Sequence, residues 1–174
     1  MADGIVADGG ADPSQRPAVI NTQNGLPQVN ITAPNQAGVS HNQYQQFDVD
    51  VKGAILNNSA VMTSTQMAGM IQGNPNLNPN SAPARVILNE VNSNNPAGIV
   101  CNGCGTINAG RMTLTTGKSQ LNADGSVAGY QVERGVVRAS RAVVSTGMPV
   151  MIPSTSTFWR ARWKSMPASG LKKG

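Results

Sequence analysis

Two cysteines three positions apart, a single histidine and two nearby acids are the residues of this chain with the clearest chemical reach. Cys101 and Cys104 form a C-x-x-C pair. As a redox motif, such a pair needs a helix N-terminus to lower its thiol pKa. Its surroundings, CNGCG, are Gly and Asn between apolar runs. As a zinc site, it supplies half of a four-ligand set. The third and favoured reading is a local disulfide, with both sulfurs near solvent in a turn. His41 is the only histidine; alone it builds neither a triad nor a metal cluster, so a structural hydrogen-bonding role is expected. Asp48 and Asp50 alternate along one expected strand and resemble a carboxylate pair, yet nothing nearby completes a catalytic set. These residues argue against an enzyme and imply no cofactor or metal.

The elements that would position them are strands. Aromatic residues make up 3% of the chain and charged residues 12%, against 19 Gly, 11 Pro and 18 Asn. Short apolar runs ending in Gly, Pro or Asn predict many short strands and turns. Strands are expected at Pro27–Thr32, Ala54–Leu56, Ala84–Val91, Gly98–Cys101 and Arg111–Thr115, with a broken strand over Gly129–Val137. Asn122-Ala123-Asp124-Gly125 reads as a hairpin turn, because Asp-Gly readily takes the positive φ such turns need. No apolar run is long enough to cross a membrane as a helix. The expected class is all-β: a coiled parallel sheet in which Asn side chains stack at the corners and each rung covers the apolar face of the last.

Charge is unevenly spread. The whole chain carries +5, which invites a nucleic-acid reading. Residues 1–138 hold seven basic and eight acidic residues, a net −1, whereas residues 139–174 hold six basic residues, no acid and both Trp. The basic character belongs to the tail. Binding of nucleic acid or anionic lipid by that tail is set aside, because a shifted reading frame accounts better for the skew.

Several strings then resemble one family in order along the chain. They are GVSHNQYQQFDVDVKGAILNNS (Gly38–Ser59), GNPNL (Gly73–Leu77), ARVILNEV (Ala84–Val91) and NPAGIVCNGCGTINAGRMTLTTG (Asn95–Gly117). The family is the haemagglutination-activity, or two-partner-secretion, domain, which heads filamentous haemagglutinins, secreted haemolysins and contact-dependent inhibition toxins. The last of these form the nearest subgroup. The resemblance implies a right-handed parallel β-helix with additional short antiparallel strands. It also implies a partner outer-membrane transporter that recognises the domain through periplasmic docking domains, passage across the membrane unfolded, and folding at the cell surface. Two Asn-Pro motifs, Asn74-Pro75-Asn76-Leu77 and Asn95-Pro96-Ala97-Gly98-Ile99, read first as turns, since Pro fixes φ and Asn caps locally. The resemblance adds transporter recognition to that role. The alternative function is a short surface adhesin fragment that binds host or bacterial cells or their glycans.

The chain departs from the family in three ways. No basic n-region or apolar h-region precedes Ile5, so no signal peptide is read in the chain as written. Asn89–Asn95 (NEVNSNN) runs straight into Pro96-Ala97-Gly98, where relatives place a further pair of strands, so about one rung near residues 95–97 is expected to be missing. The resemblance stops after Val136-Val137-Arg138. A back-translation of Phe158–Lys173 in a shifted frame reads ILARAVEINAGVWAKK, which resembles the family strands due next. Residues 1–138 are therefore expected to bear the fold. Residues 139–174 are expected to be an unpacked, out-of-frame tail on a truncated remnant that is not exported as it stands.

Overall fold

A computed structural model describes residues 4–92, 99–102, 104–131, 137–140 and 143–145. Within them the chain is nearly all strand, with one short 3₁₀ turn at Pro13–Gln15. The chain enters through β1 (Ile5–Ala7) and β2 (Ala18–Asn21), followed by β3 (Pro27–Asn30) and the long β4 (Val39–Val49). It then passes through β5 (Ala54–Asn57), a hairpin of β6 (Thr63–Thr65) and β7 (Gly69–Ile71), β8 (Val86–Val91) and β9 (Ile99–Asn102). The last elements are β10 (Cys104–Ile107), β11 (Arg111–Thr115), the hairpin of β12 (Lys118–Leu121) and β13 (Val127–Gln131), β14 (Val137–Ser140) and β15 (Val143–Ser145).

Parallel pairing stacks these strands along three lines. On the first line β3, β5, β10 and β15 lie side by side, so that Val29 faces Leu56, Leu56 faces Thr106 and Thr106 faces Val144. On the second, β4, β8 and β11 stack with Ser40, Ile87 and Met112 in register. On the third, the end of β4 stacks with β9 and β14, placing Phe47, Ile99 and Val137 in register. The chain thus makes a first pass (β3, β4), a second (β5, β8, β9) and a third (β10, β11, β14), and β15 opens a fourth. Each pass offers its apolar residues to the pass below, which is how short strands of low aromatic content build a shared core. That core joins Val29, Ile31, Tyr44, Phe47, Leu56, Ile87 and Ile99. At the first-pass end, β1 runs antiparallel along β4 and β2 runs antiparallel along β3. These two strands cover the sheet edges that would otherwise be open to pairing.

β4 carries a feature that simple alternation does not show. Val6 pairs with Gln46 and Ala7 with Tyr44, so Gln45 is skipped. This β-bulge resets the period-2 alternation. Tyr44 and Phe47, three residues apart, therefore both point inward at 0% exposure, with ring centroids 4.9 Å apart in an edge-on arrangement.

Several expectations move. β8 begins at Val86 rather than Ala84, and β4 extends well beyond anything expected for that region. Of the run Gly129–Val137, the first part belongs to β13 and Val137 opens β14; residues 132–136 lie outside the described residues. Asp50 does not share a strand with Asp48: β4 ends at Val49, and Asp50 instead accepts the Lys52 N–H in a turn at 2.8 Å. β14 runs through residue 138, and β15 pairs with β10. Residues 146–174 lie outside the described residues.

Candidate functional site

The first Asn-Pro motif is built as a turn on a tight approach of two backbones. A Cβ on Gly73 would lie 2.4 Å from the Ala60 carbonyl oxygen, so only glycine fits immediately before the turn. Asn74 N–H then donates to the Ser59 carbonyl at 2.7 Å, and Leu77 N–H closes the turn on the Asn74 carbonyl at 3.2 Å. Pro75 sits at the second turn position, where its fixed φ is an advantage.

The Asn74 side chain clamps the coil. It is 1% exposed. Its Nδ2 donates to the Ile31 and Asn57 carbonyls, both at 2.9 Å, and its Oδ1 accepts the Asn76 N–H at 2.9 Å. Ile31 follows β3 in the first pass and Asn57 ends β5 in the second. One amide thus joins two passes to the turn and pairs with three backbone groups, the Ile31 and Asn57 carbonyls and the Asn76 N–H. Asn76 is exposed, and its Nδ2 makes longer bonds to the Asn30 and Ile31 carbonyls, at 3.3 and 3.2 Å. The turn walls an uncharged groove of about 280 Å³ whose lining includes Pro34, Val61, Leu77, Pro79 and Pro83. Of the second motif, Asn95, Pro96, Ala97 and Gly98 lie outside the described residues; Ile99 opens β9 and is fully buried.

Further asparagines, not singled out in the sequence, serve the same end. Asn57 Nδ2 reaches Asn30 Oδ1 at 3.3 Å across paired strand ends, a two-membered stack at a corner. Asn58 bridges the Ala84 and Asn108 carbonyls at 2.8 and 3.0 Å and accepts the Ala84 N–H. Their sequence signal was the high Asn count beside strand ends.

A second polar cluster fastens the β12–β13 hairpin. Glu90 Oε2 lies 2.9 Å from His41 Nε2 and accepts the Ser119 N–H at 2.9 Å. The single histidine thus has the hydrogen-bonded place expected for it. Burial opposes the charge of Glu90, and hydrogen bonds from His41 and Ser119 outweigh it, holding the carboxyl below its ordinary value. A carboxyl with a lowered folded-state pKa stabilises the fold above its unfolded value of 4.5, and that contribution disappears as pH falls through the folded value. Denaturation midpoints should therefore drop as pH falls below about 4.5, and Glu90→Gln should flatten part of that dependence. An unchanged slope in the variant would remove Glu90 from the account.

Cys101 and Cys104 are joined as a disulfide with Cα atoms 5.6 Å apart. They are not near solvent as expected: both are 1% exposed and belong to the main core. The reason is that both side chains take inward strand positions, where cysteine packs as a small apolar residue. Among the described residues there is no cluster of three or more His, Cys, Asp or Glu placed to hold a metal.

Comparison with known proteins gives this arrangement its context. The family model for the TPS secretion domain matches residues 4–156. "Toxin CdiA" of Yersinia pestis is 50% identical over 76% of the chain, and "tRNA nuclease CdiA-2" of Burkholderia pseudomallei is 44% identical over 82% of it. The chain spans about 5% of the length of each of these relatives. A crystal structure of the filamentous hemagglutinin secretion domain is similar with a TM-score of 0.55 and 31% identity, covering 82% of this chain and 49% of that one. The nuclease activity named for one relative lies with that far longer protein. A stacked coil clamped by buried asparagines, matched over most of its length by this family model, places the chain in the TPS secretion domain family.

Proposed function

We propose that this domain heads a large exported adhesin or contact-dependent inhibition toxin, is recognised by the periplasmic docking domains of a partner outer-membrane transporter, and nucleates folding of the repeats C-terminal to it. The observation that carries this reading is the difference between the two ends of the coil. β1 and β2 close the first-pass end, whereas among the described residues no strand pairs with the outer edges of β11, β14 or β15. Those edges offer a template to further passes. On this reading the coil winds as a right-handed β-helix, and the exposed part of the Asn74–Leu77 turn is read by the transporter.

The domain boundaries belong to the same proposal. The Yersinia pestis alignment runs over 154 positions yet covers 76% of the 174 residues here, leaving about 22 positions at which this chain has no residue. That supports a missing segment, which the sequence places near residues 95–97. The basic tail, residues 139–174, is read in the same proposal as translated out of frame. The nucleotide sequence around those two places tests both statements.

Export tests the function. With a secretory signal peptide fused ahead of the chain, the proposed missing segment near residues 95–97 put back and the tail's reading frame restored, a reporter fused downstream should reach the culture supernatant only when the partner barrel is co-expressed. Equal amounts without the barrel would contradict the proposal.

A further inference from the structure

We infer that the β12–β13 hairpin is a strap, tied through Asn35 to the first pass, that holds residues 31–35 and with them the Asn74–Leu77 turn, so that the surface offered to the transporter is complete only once the third pass has folded. The link to recognition rests on the reading of that turn proposed above.

The hairpin follows β11 and stands apart from the two large sheets. Among the described residues β12 and β13 pair with each other alone, and neither apolar cluster takes a residue from them. Polar ties fasten the hairpin at its base and its tip. At the base, Ser119 N–H donates to Glu90 Oε2 in the second pass at 2.9 Å. At the tip, the Gly125 carbonyl accepts from Asn35 Nδ2 in the first pass at 2.8 Å. The tip is shaped by its own bonds. Gly125 N–H donates to the Asn122 carbonyl at 2.9 Å, Asn122 N–H to the Ser126 carbonyl at 2.8 Å, and Ser126 N–H to Asp124 Oδ1 at 2.9 Å. Gly125 takes a φ of +82°, and a Cβ there would lie 2.5 Å from Asn35 Nδ2, so glycine suits this approach.

Asn35 works on two sides. Its Oδ1 accepts the Ala37 and Val39 N–H groups at 3.0 and 3.1 Å, and its own N–H donates to the Val39 carbonyl at 2.9 Å, which shapes the entry into β4. Asn35 is exposed, so these bonds and the strap fix its side chain rather than burial. Four residues earlier, the Ile31 carbonyl accepts from Asn74 Nδ2 at 2.9 Å and from Asn76 Nδ2 at 3.2 Å. Between these points Ala33 and Pro34 line the groove beside the turn, and the fixed φ of Pro34 limits the slack. One short segment is thus held by the strap at one end and by the Asn-Pro turn at the other. Asn35 is a positioning residue for that turn.

Two variants of the full chain test the strap. Asn35→Asp keeps a side-chain oxygen for the Ala37 and Val39 N–H groups and sets a second oxygen against the Gly125 carbonyl. Gly125→Ala crowds the same contact from the hairpin and leaves residues 31–35 chemically unchanged. In both, amide exchange should speed up about fivefold or more at residue 119, across residues 35–39 and at residue 76, while β5 and β8 keep their protection. A loosened hairpin with residues 35–39 and 76 as protected as before would overturn the proposal, and so would a hairpin that neither variant loosens. Calorimetry with the isolated periplasmic domains of the proposed partner transporter should show Gly125→Ala binding about threefold or more weakly, because a smaller share of molecules holds the turn in place. Unchanged affinity beside a loosened hairpin would overturn the link to recognition. Absence of binding by the unmodified chain would instead contradict the proposed function, and the exchange rates then decide the strap by themselves.

Discussion

Replacing Asn74 by alanine should lower the stability of the fold by about 2–4 kcal/mol. The side chain is buried, its amide donates two 2.9 Å hydrogen bonds and its carbonyl accepts a third. Removal strips the Asn57 carbonyl of this partner, weakens the hold on Ile31 and frees the Asn76 N–H that fixes the turn. A buried polar group left unpaired costs about 1–3 kcal/mol, more than the net gain of an ordinary hydrogen bond, so the loss exceeds a simple count of bonds. Asn76→Ala should cost less, about 0.5–1 kcal/mol, because Asn76 is exposed and its bonds are longer. Chemical denaturation of both variants, with exposed Lys118→Ala as the neutral reference, measures the order. If Asn76→Ala proved the costlier of the two, the clamp would be misassigned.

Phe47→Ala should have the larger effect, about 3–5 kcal/mol, the usual loss for deleting a fully buried phenyl ring. Among the described residues the one ring packed against it is Tyr44, which is itself fully buried and fixed in place. Phe47 stacks on Ile99 across the first and second passes and meets Tyr44 edge-on. Against a typical domain stability of about 5–15 kcal/mol, such a loss leaves a marginal fold. Tyr44→Phe retains the ring and removes only the hydroxyl bond to Asn89 Oδ1, so it should cost about 0.5–1.5 kcal/mol. Thermal unfolding of the two variants separates ring packing from hydrogen bonding. Near-equal losses would show that the aromatic pair is not the centre of the core.

β4 shows where the sequence was readable and where it was not. Apolar runs such as Val86–Val91 announced themselves because most of their residues are buried and β-branched or aliphatic. The string Val39–Val49 is rich in Gln and Asn and hides its inward face. The bulge at Gln45 shifts the alternation midway, so a strict period of two places Tyr44 and Phe47 on opposite faces. The register of a bulge depends on pairing with β1, more than thirty residues earlier, and no local pattern encodes that. The asparagine clamp was partly legible. The Asn-Pro motif and the Asn-rich corners were visible, but the difference between a buried Asn74 and an exposed Asn76 comes from where Ile31 and Asn57 pass. The cysteines were misplaced for a related reason: Gly and Asn around them suggest an exposed turn, while stacking on Val49 and Ala54 puts the sulfurs in the core.

The membership of this chain in the TPS secretion domain family makes recognition by a transporter the claim on which the functional account turns. Titration of the purified chain against the isolated periplasmic domains of the proposed partner transporter, followed by calorimetry, tests that claim most directly. The account predicts saturable binding that weakens at least about tenfold, the equivalent of 1.4 kcal/mol, when Asn76 and Leu77 on the open side of the turn are replaced by alanine. Saturable binding that is insensitive to those replacements, or no binding at concentrations where the chain is folded and soluble, would contradict it.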